Sequence, residues 1–206
     1  MLRRIHIILV LLHAVTKGDC PPDYTQLSAN LCTIQLNETN RFCEACTFCS
    51  NYGEQRNQLV FLHGRNVNLA KVNLQPNSRV WSEMHGLLGI PESESVVEWR
   101  DFDPRTPEFT SGPDIFKWGA NRPDSNEPHL IYHKEDDAIY DVLPGPVILK
   151  LEVHCEYGGE LLKDNLNVRF RADFPERFHN IVQPHPKFRG CPLTLKAATK
   201  IECARK

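Results

Sequence analysis

Apolar and polar positions alternate in several short runs along this chain. The cleanest is Val147-x-Leu149-x-Leu151-x-Val153, which predicts a strand over 147–155. Leu130-Ile131-Tyr132, Ala138–Leu143, Val96–Arg100 and Thr33–Leu36 predict further short strands, and Leu166-x-Val168-x-Phe170 one more near the end. Between Cys20 and Cys32, Pro21-Pro22 and the turn residues Ala29-Asn30 predict a hairpin closed by a disulfide. A period near 3.6 occurs twice. Cys43, Cys46 and Cys49 repeat every third residue, predicting a helix or turn over Phe42–Asn51 with the sulfurs near one face. After Pro76-Asn77-Ser78, which supplies an N-cap, Val80, Trp81, Met84, Leu87 and Leu88 fit a second helix that Gly86, Gly89 and Pro91 would end. Gln58–Val72 reads as a helix end, a turn at Gly64-Arg65-Asn66 and a short strand; Gly158-Gly159 reads as a hinge. From Asp101 to Asp114 the chain is rich in Pro and Asp and poor in apolar residues, the pattern of a functional loop or a disordered insertion.

The amino-terminal segment stands apart from this pattern. Arg3 and Arg4 precede the apolar run Ile5–Val15, and small residues follow at Thr16 and Gly18, so residues 1–18 read as a signal peptide and the mature chain as secreted. No later run approaches the roughly 18 apolar residues of a spanning helix. In that compartment Cys20, Cys32, Cys43, Cys46, Cys49, Cys155, Cys191 and Cys203 read as disulfide partners, with Cys191 and Cys203 closing the tail as a loop. The alternative for the Cys43/Cys46/Cys49 triplet is a zinc knuckle, which an oxidising compartment disfavours. Asn37-Glu38-Thr39 is a glycosylation sequon on an expected surface loop.

Charge is asymmetric although the net is −2: residues 91–143 hold thirteen acids against five bases, and residues 157–206 hold ten bases against five acids. The Arg/Phe-interleaved tail could stack on nucleic-acid bases, but secretion argues instead that its phenylalanines dock the tail onto the domain. In the acidic middle, Asp124, Asn126, Glu127, Asp136, Asp137 and Asp141 are candidate calcium ligands, since calcium takes six to eight carboxylate and amide oxygens. Against this, Arg122 places a positive charge beside Asp124, and a solvated acidic loop has the same composition. His129 and His133, four apart on an expected strand, sit too far from one another to share a zinc ion and read as surface residues. Enzyme chemistry finds no support: there is no G-x-S-x-G elbow, no cysteine outside the disulfide count, and the consecutive acids Glu135, Asp136 and Asp137 point in different directions rather than forming an apposed glycosidase pair.

The order of these features resembles the C-type lectin-like domain in its long form with an N-terminal hairpin. Cys20-Pro21 with Tyr24 and Cys32 resembles the family's opening hairpin. Leu69-Ala70-Lys71-Val72, then Asn77, Trp81 and Leu87-Leu88, resembles its first-helix exit and second helix. Phe116-x-Trp118-Gly119 followed by Arg122-Pro123-Asp124 resembles the start of its ligand loop, Tyr140-Asp141 stands where a Trp-Asn-Asp motif is expected, and Cys155-Glu156 resembles its closing Cys-Glu. The resemblance implies an α+β fold of two helices, small antiparallel sheets and a long ligand loop, stapled by disulfides, over 19–157, with 158–206 a basic, disulfide-closed C-terminal extension. It implies a non-enzymatic module for a glycan or protein ligand, with Trp118, Arg122, Asp124 and Glu127 at the ligand and calcium completing the site. The family's first-helix cysteine is missing near Leu62, so Cys49 or Cys46 would have to bridge to Cys155. The inner cysteine pair of the loop and the Asn-Asp pair are also missing. Arg122 stands where an oxygen donor belongs, which implies that calcium dependence is weakened or lost. The competing reading is a secreted disulfide-rich structural protein of other ancestry, with a glycan hydrolase third.

Overall fold

The computed structural model describes residues 20–87, 98–101, 103–106, 108–111, 113–124, 127–143, 146–161 and 190–191. Strands β1 (Thr25–Ser28) and β2 (Leu31–Thr39) form the expected hairpin, closed by Cys20–Cys32. Helix α1 (Phe42–Glu54) follows, then β3 (Gln58–Leu62), a 3-10 turn (Val67–Val72), β4 (Arg79–His85), the two-residue strands β5 (Trp99–Arg100) and β6 (Thr110–Ser111), a second 3-10 turn (Pro113–Ile115), β7 (His129–His133), β8 (Ala138–Val142) and β9 (Leu151–Glu160). The sheet order is β1-β2-β9-β4-β5-β6, with β3 also on β9 and the β7–β8 hairpin on β4. All pairs are antiparallel except the single parallel contact Val80–Glu152 between β4 and β9.

Helix α1 forms because Phe42, Ala45, Cys49 and Gly53 make one buried stripe. Its first turn is anchored from outside: the Thr39 hydroxyl donates to the Glu44 carboxylate, and the Arg41 amide donates to Thr39 Oγ1 at 3.2 Å. At the far end, a Cβ on Gly53 would run into the Gln58 carbonyl oxygen, so the helix can approach β3 this closely only with glycine there. The chain then reverses through Asn57 in the left-handed region (φ 56°). The helix packs on β3, β4 and β9 through Val60, Leu62, Trp81, Leu151 and Val153. A second core, on the other face of β4, joins Val67, Val80, Met84, Trp99, Leu130, Tyr132 and Ile139, with Phe109, Phe116 and Trp118 packed against it.

Several expectations are corrected by this arrangement. Residues 79–85 are strand, not helix: every residue from Val80 to His85 is buried, and the buried polar residues Ser82, Glu83 and His85 fall on both faces of the strand, so hydropathy does not alternate and the apolar spacing mimics a helix. Asn77, read as part of an N-cap, instead turns the chain with φ 64°. Gln58–Val72 runs in the reverse sense, strand first and 3-10 turn second. The last strand begins at Leu151 rather than Val147; the preceding alternation continues onto exposed chain, where Ile148 and Leu149 face solvent. Gly158-Gly159 is not a hinge but lies inside β9, at an irregularity opposite Leu59 and Val60 where Gly159 takes φ 119°. The sequon lies on β2 rather than on a loop, yet Asn37 itself is exposed beside a register shift.

Cys49 bridges to Cys155 and Cys43 to Cys191, so the expected Cys191–Cys203 loop is not formed. Cys46 carries no disulfide, and burial beside Glu83 pushes its thiol pKa up. Cys203, Asn126, Val96, Val97, the 166–170 strand, the Arg/Phe tail and the signal segment lie outside the described residues. Among the described residues no helix is long and apolar enough to cross a membrane.

Candidate functional site

The expected ligand loop leaves the second core at Trp118. That residue forms a bridge with Ile139 and packs its ring against Trp99 and Phe116 at centroid distances of 5.4 and 5.9 Å. Trp118 is therefore a foundation of the loop; it braces the site from below. Gly119 follows because a Cβ there would collide with the Tyr140 ring. Its amide donates to the Ile139 carbonyl (2.9 Å), the Arg122 amide donates back to the Gly119 carbonyl (3.2 Å), and Asn121 sits at φ 59°. This turn, followed by a cis Arg122–Pro123 peptide, delivers Arg122, Asp124 and Glu127 to the start of β7 and the end of β8.

There the Arg122 guanidinium meets three carboxylates through one nitrogen. Nη1 lies 2.6 Å from Glu127 Oε2, 3.1 Å from Asp141 Oδ1 and 3.2 Å from Asp124 Oδ2. The Asp124 backbone amide donates to Asp141 Oδ2 at 2.7 Å, so Asp141 also fixes the loop backbone. The Asp141 side chain is wholly buried, and burial raises its pKa, opposed by the Asp124 amide and the Arg122 charge. Burial works against the Arg122 charge as well, but Glu127, Asp141 and Asp124 outweigh it and hold the guanidinium above its ordinary range.

Of the six candidate calcium ligands, the structure gathers three: ligand oxygens of Asp124, Glu127 and Asp141 all lie within 4.8 Å of one another. Asp136 and Asp137 are elsewhere. Asp136 accepts from Tyr140 Oη (2.7 Å) and contacts His133 Nδ1 (2.6 Å), while Asp137 accepts from Tyr132 Oη (2.7 Å) and pairs with Lys71 (3.1 Å). They brace the β7–β8 turn. The three gathered acids have the chemistry of a calcium site, but the residues present do not fit the ion. Arg122 Nη1 is already within hydrogen-bond reach of all three carboxylates, and a guanidinium supplies no oxygen.

His129 is not a surface residue. It is fully buried, stacks on Phe42 with centroids 4.0 Å apart, and burial together with His85 pushes its pKa down to about 3. His133, the other half of the expected pair, is held by Asp136.

Sequence reasoning missed a second charged cluster, on the opposite side of β4. Asp103 binds Arg105 Nε (2.9 Å) and Arg65 Nη2 (3.1 Å), and Arg105 also reaches Glu156, the acid of the closing Cys-Glu. Burial works to raise the Asp103 pKa, but the Arg105 contacts and the Arg65 charge hold it below the usual range. Glu83, buried among Asp101, Asp103 and Glu156, is pushed well up by burial and by those acids. His63, fully buried 3.9 Å from Glu156, is pushed down to about 3 by burial and by His154. These side chains tie the 98–111 segment to the sheet. Their separation in sequence left no local signal by which to find them.

A third feature borders the ligand loop. An open groove of about 750 Å³ runs from Arg122 and Tyr140 past Arg79 to Leu143 and the 146–149 segment. One wall is held in place by the Val147 amide, which donates to the Asn40 carbonyl at 2.9 Å.

Solved structures similar to the chain include the C-type lectin CEL-I from Cucumaria echinata (16% identity, 69% of this chain and 100% of that one, TM-score 0.48). The C-type lectin domain of murine dendritic cell inhibitory receptor 2, solved in complex with N-glycan, gives 17% identity over 67% and 98% of the chains with a TM-score of 0.48. The mouse scavenger receptor C-type lectin carbohydrate-recognition domain gives 21% identity over 67% and 97%, with a TM-score of 0.44. No family model and no curated protein matches. The Cys20–Cys32 hairpin is the pairing that the motif order implied, and Cys49 is the one of the two candidates, Cys49 and Cys46, that bridges to Cys155. The chain is a disulfide-stapled α+β domain.

Proposed function

We propose that the chain is a secreted, non-enzymatic recognition module that binds a glycan or protein ligand through the 116–143 region without depending on calcium. The observation that carries this reading is the single Arg122 nitrogen shared by Asp124, Glu127 and Asp141. A side-chain cation there offsets part of the acids' mutual repulsion and ties the loop to β8 through Asp141. Three disulfides support an oxidising compartment, and the exposed Asn37 is open to glycosylation there. The proposed organisation is the 19–157 domain with a basic extension over 158–206, the domain's last strand running on to Glu160.

Calorimetric titration with calcium tests the reading. No binding is expected from micromolar to millimolar calcium; binding in that range that is abolished by Asp124→Ala would overturn it. A glycan array run with and without chelator then reports any sugar ligand, with signals expected to be the same in both.

A further inference from the structure

The groove beside the Arg122 cluster has a composition that selects among ligand classes. Leu143 (41% exposed), Ile148 (101%) and Leu149 (51%) line it, and they are three of the six large apolar side chains exposed among the described residues. Exposed apolar side chains scattered singly are ordinary, whereas a group of them in one concavity marks a binding surface. The floor is also apolar, formed by Ile131 and Val142. A sugar pressed against this aliphatic wall would strip water from hydroxyls that find no hydrogen-bonding partner there, which is costly. An aliphatic side chain would lose nothing and gain burial.

Charge narrows the choice further. The groove is lined by the cations Arg79 and Arg122, by His133, which pairs with Arg79 across β4 and β7, and by the acids Glu127, Asp141 and Asp136. Glu127 and Asp141 are paired with Arg122, and Asp136 with His133 and Tyr140. Arg122 turns Nη1 to its three carboxylates, and His133 is held by Asp136. Arg79, half-buried at the first residue of β4, has no carboxylate partner among the described residues, and its charge reaches the Tyr140 hydroxyl across the groove. A half-buried guanidinium beside an exposed aliphatic wall is complementary to a ligand that offers a carboxylate next to an apolar side chain.

We infer that this groove binds a peptide segment of a partner protein in which a large aliphatic or aromatic side chain lies beside an Asp or Glu, the apolar group seating against Leu143, Ile148 and Leu149 and the carboxylate pairing with Arg79. This rests on the recognition reading and chooses the protein branch of it. The groove volume falls within the 300–1,000 Å³ typical of ligand sites, and Val147 holds the wall preformed, which lowers the ordering cost of binding.

The test is selection of a random twelve-residue phage-displayed peptide library on the full secreted chain, with subtraction against an Arg79→Glu/Ile148→Asp double variant. Both positions lie at the surface, and circular dichroism and thermal melts confirm that the variants fold. The expected result is a consensus pairing Leu, Ile, Phe or Met with Asp or Glu. Synthetic consensus peptide, followed by fluorescence polarisation, should bind each single variant about tenfold or more weakly, and a peptide with Lys in place of its acid should regain binding to Arg79→Glu. Failure to enrich any peptide over the double variant overturns the inference, as does a consensus without an acid, or one matching residues 162–189 or 192–206 of this chain. Concentration-dependent dimerisation that Ile148→Asp abolishes, read by light scattering, also overturns it by assigning the groove to a second copy. Glycan-array binding without peptide binding overturns the peptide inference while leaving the recognition reading intact; absence of both overturns the two together.

Discussion

Replacing Arg122 by glutamine removes the cation from a cluster of three acids and puts an amide oxygen in its place. A unit charge pair near 3 Å is worth roughly 5 kcal/mol at an effective dielectric of about 20, but desolvation offsets much of that gross attraction. Asp124 is 45% exposed at its side chain, so its share is worth about 0–1 kcal/mol. The larger share comes from Asp141, with no side-chain exposure, and Glu127, with 18%. Breaking a buried pair by removing one partner costs about 3–5 kcal/mol. Arg122 is itself 29% exposed, which lowers the expected loss for Arg122→Gln to about 2–4 kcal/mol, a fall in Tm of roughly 5–15 °C for a domain of this size. Because the Asp141 pKa is already raised by burial, removing Arg122 raises it further, and the loss grows as pH climbs above the carboxylate range. The three acids then face one another with no counter-charge, and the variant should acquire a calcium response. At calcium about 100 times its Kd, the ion returns about 2.7 kcal/mol. Differential scanning fluorimetry of wild type and Arg122→Gln, in EGTA and in millimolar calcium, reads all four numbers. The reasoning is refuted if wild-type Tm moves with calcium, or if the variant neither loses stability nor responds to the ion.

The disulfides, the Gly119 contact and the buried histidines each carry a further expected outcome. Cys49→Ser opens a link spanning 106 residues, and chain-entropy reasoning puts the loss at about 4–5 kcal/mol; urea unfolding should show a lower midpoint, and an unchanged one would exclude the bridge. Gly119→Ala places a methyl group against the Tyr140 ring, for an expected loss of about 1–3 kcal/mol and a change in near-ultraviolet circular dichroism. Burial holds His63 and His129 at about pKa 3 and His85 at about 4. The unfolded chain therefore takes protons first as pH falls below about 6.5, and stability is lost by about 2 kcal/mol per histidine at pH 5. Glu83 and Glu156, raised by burial, act in the opposite sense, so the histidine contribution is read as a difference: the Tm drop from pH 7 to pH 5 should be smaller in His129→Leu than in wild type.

The hairpin at Cys20–Cys32 and helix α1 were legible because their signals are local: turn residues between cysteines, and a spacing of three. The β7 and β8 strands were legible for the same reason. The β4 strand was not, because both its faces are buried and its polar residues Ser82, Glu83 and His85 are divided between them, which breaks the period of two. The candidate site was legible in its residue types but not in its grouping. Asp136 and Asp137 lie nearer in sequence to Asp141 than Asp124 does, yet they face the turn, and only the Gly119–Asp124 reversal brings Asp124 across to Asp141. The Arg105–Glu156 contact joins residues 51 apart, and sequence spacing carries no record of such a meeting.

The double burial of β4 has a consequence for how the molecule fails. Trp81 points into the core that α1 and the Cys49–Cys155 staple share, while Val80 and Met84 point into the core on which the ligand loop stands. A slip of one residue would put Val80 or Ser82 where Trp81 sits and Glu83 or His85 where Met84 sits, damaging both cores at once. The strand therefore acts as a common gauge, and neither core can loosen without the other registering it. Hydrogen exchange should show the helix side and the loop side opening together, as one cooperative unit, even though no side chain of the Arg122 cluster belongs to the core beneath α1.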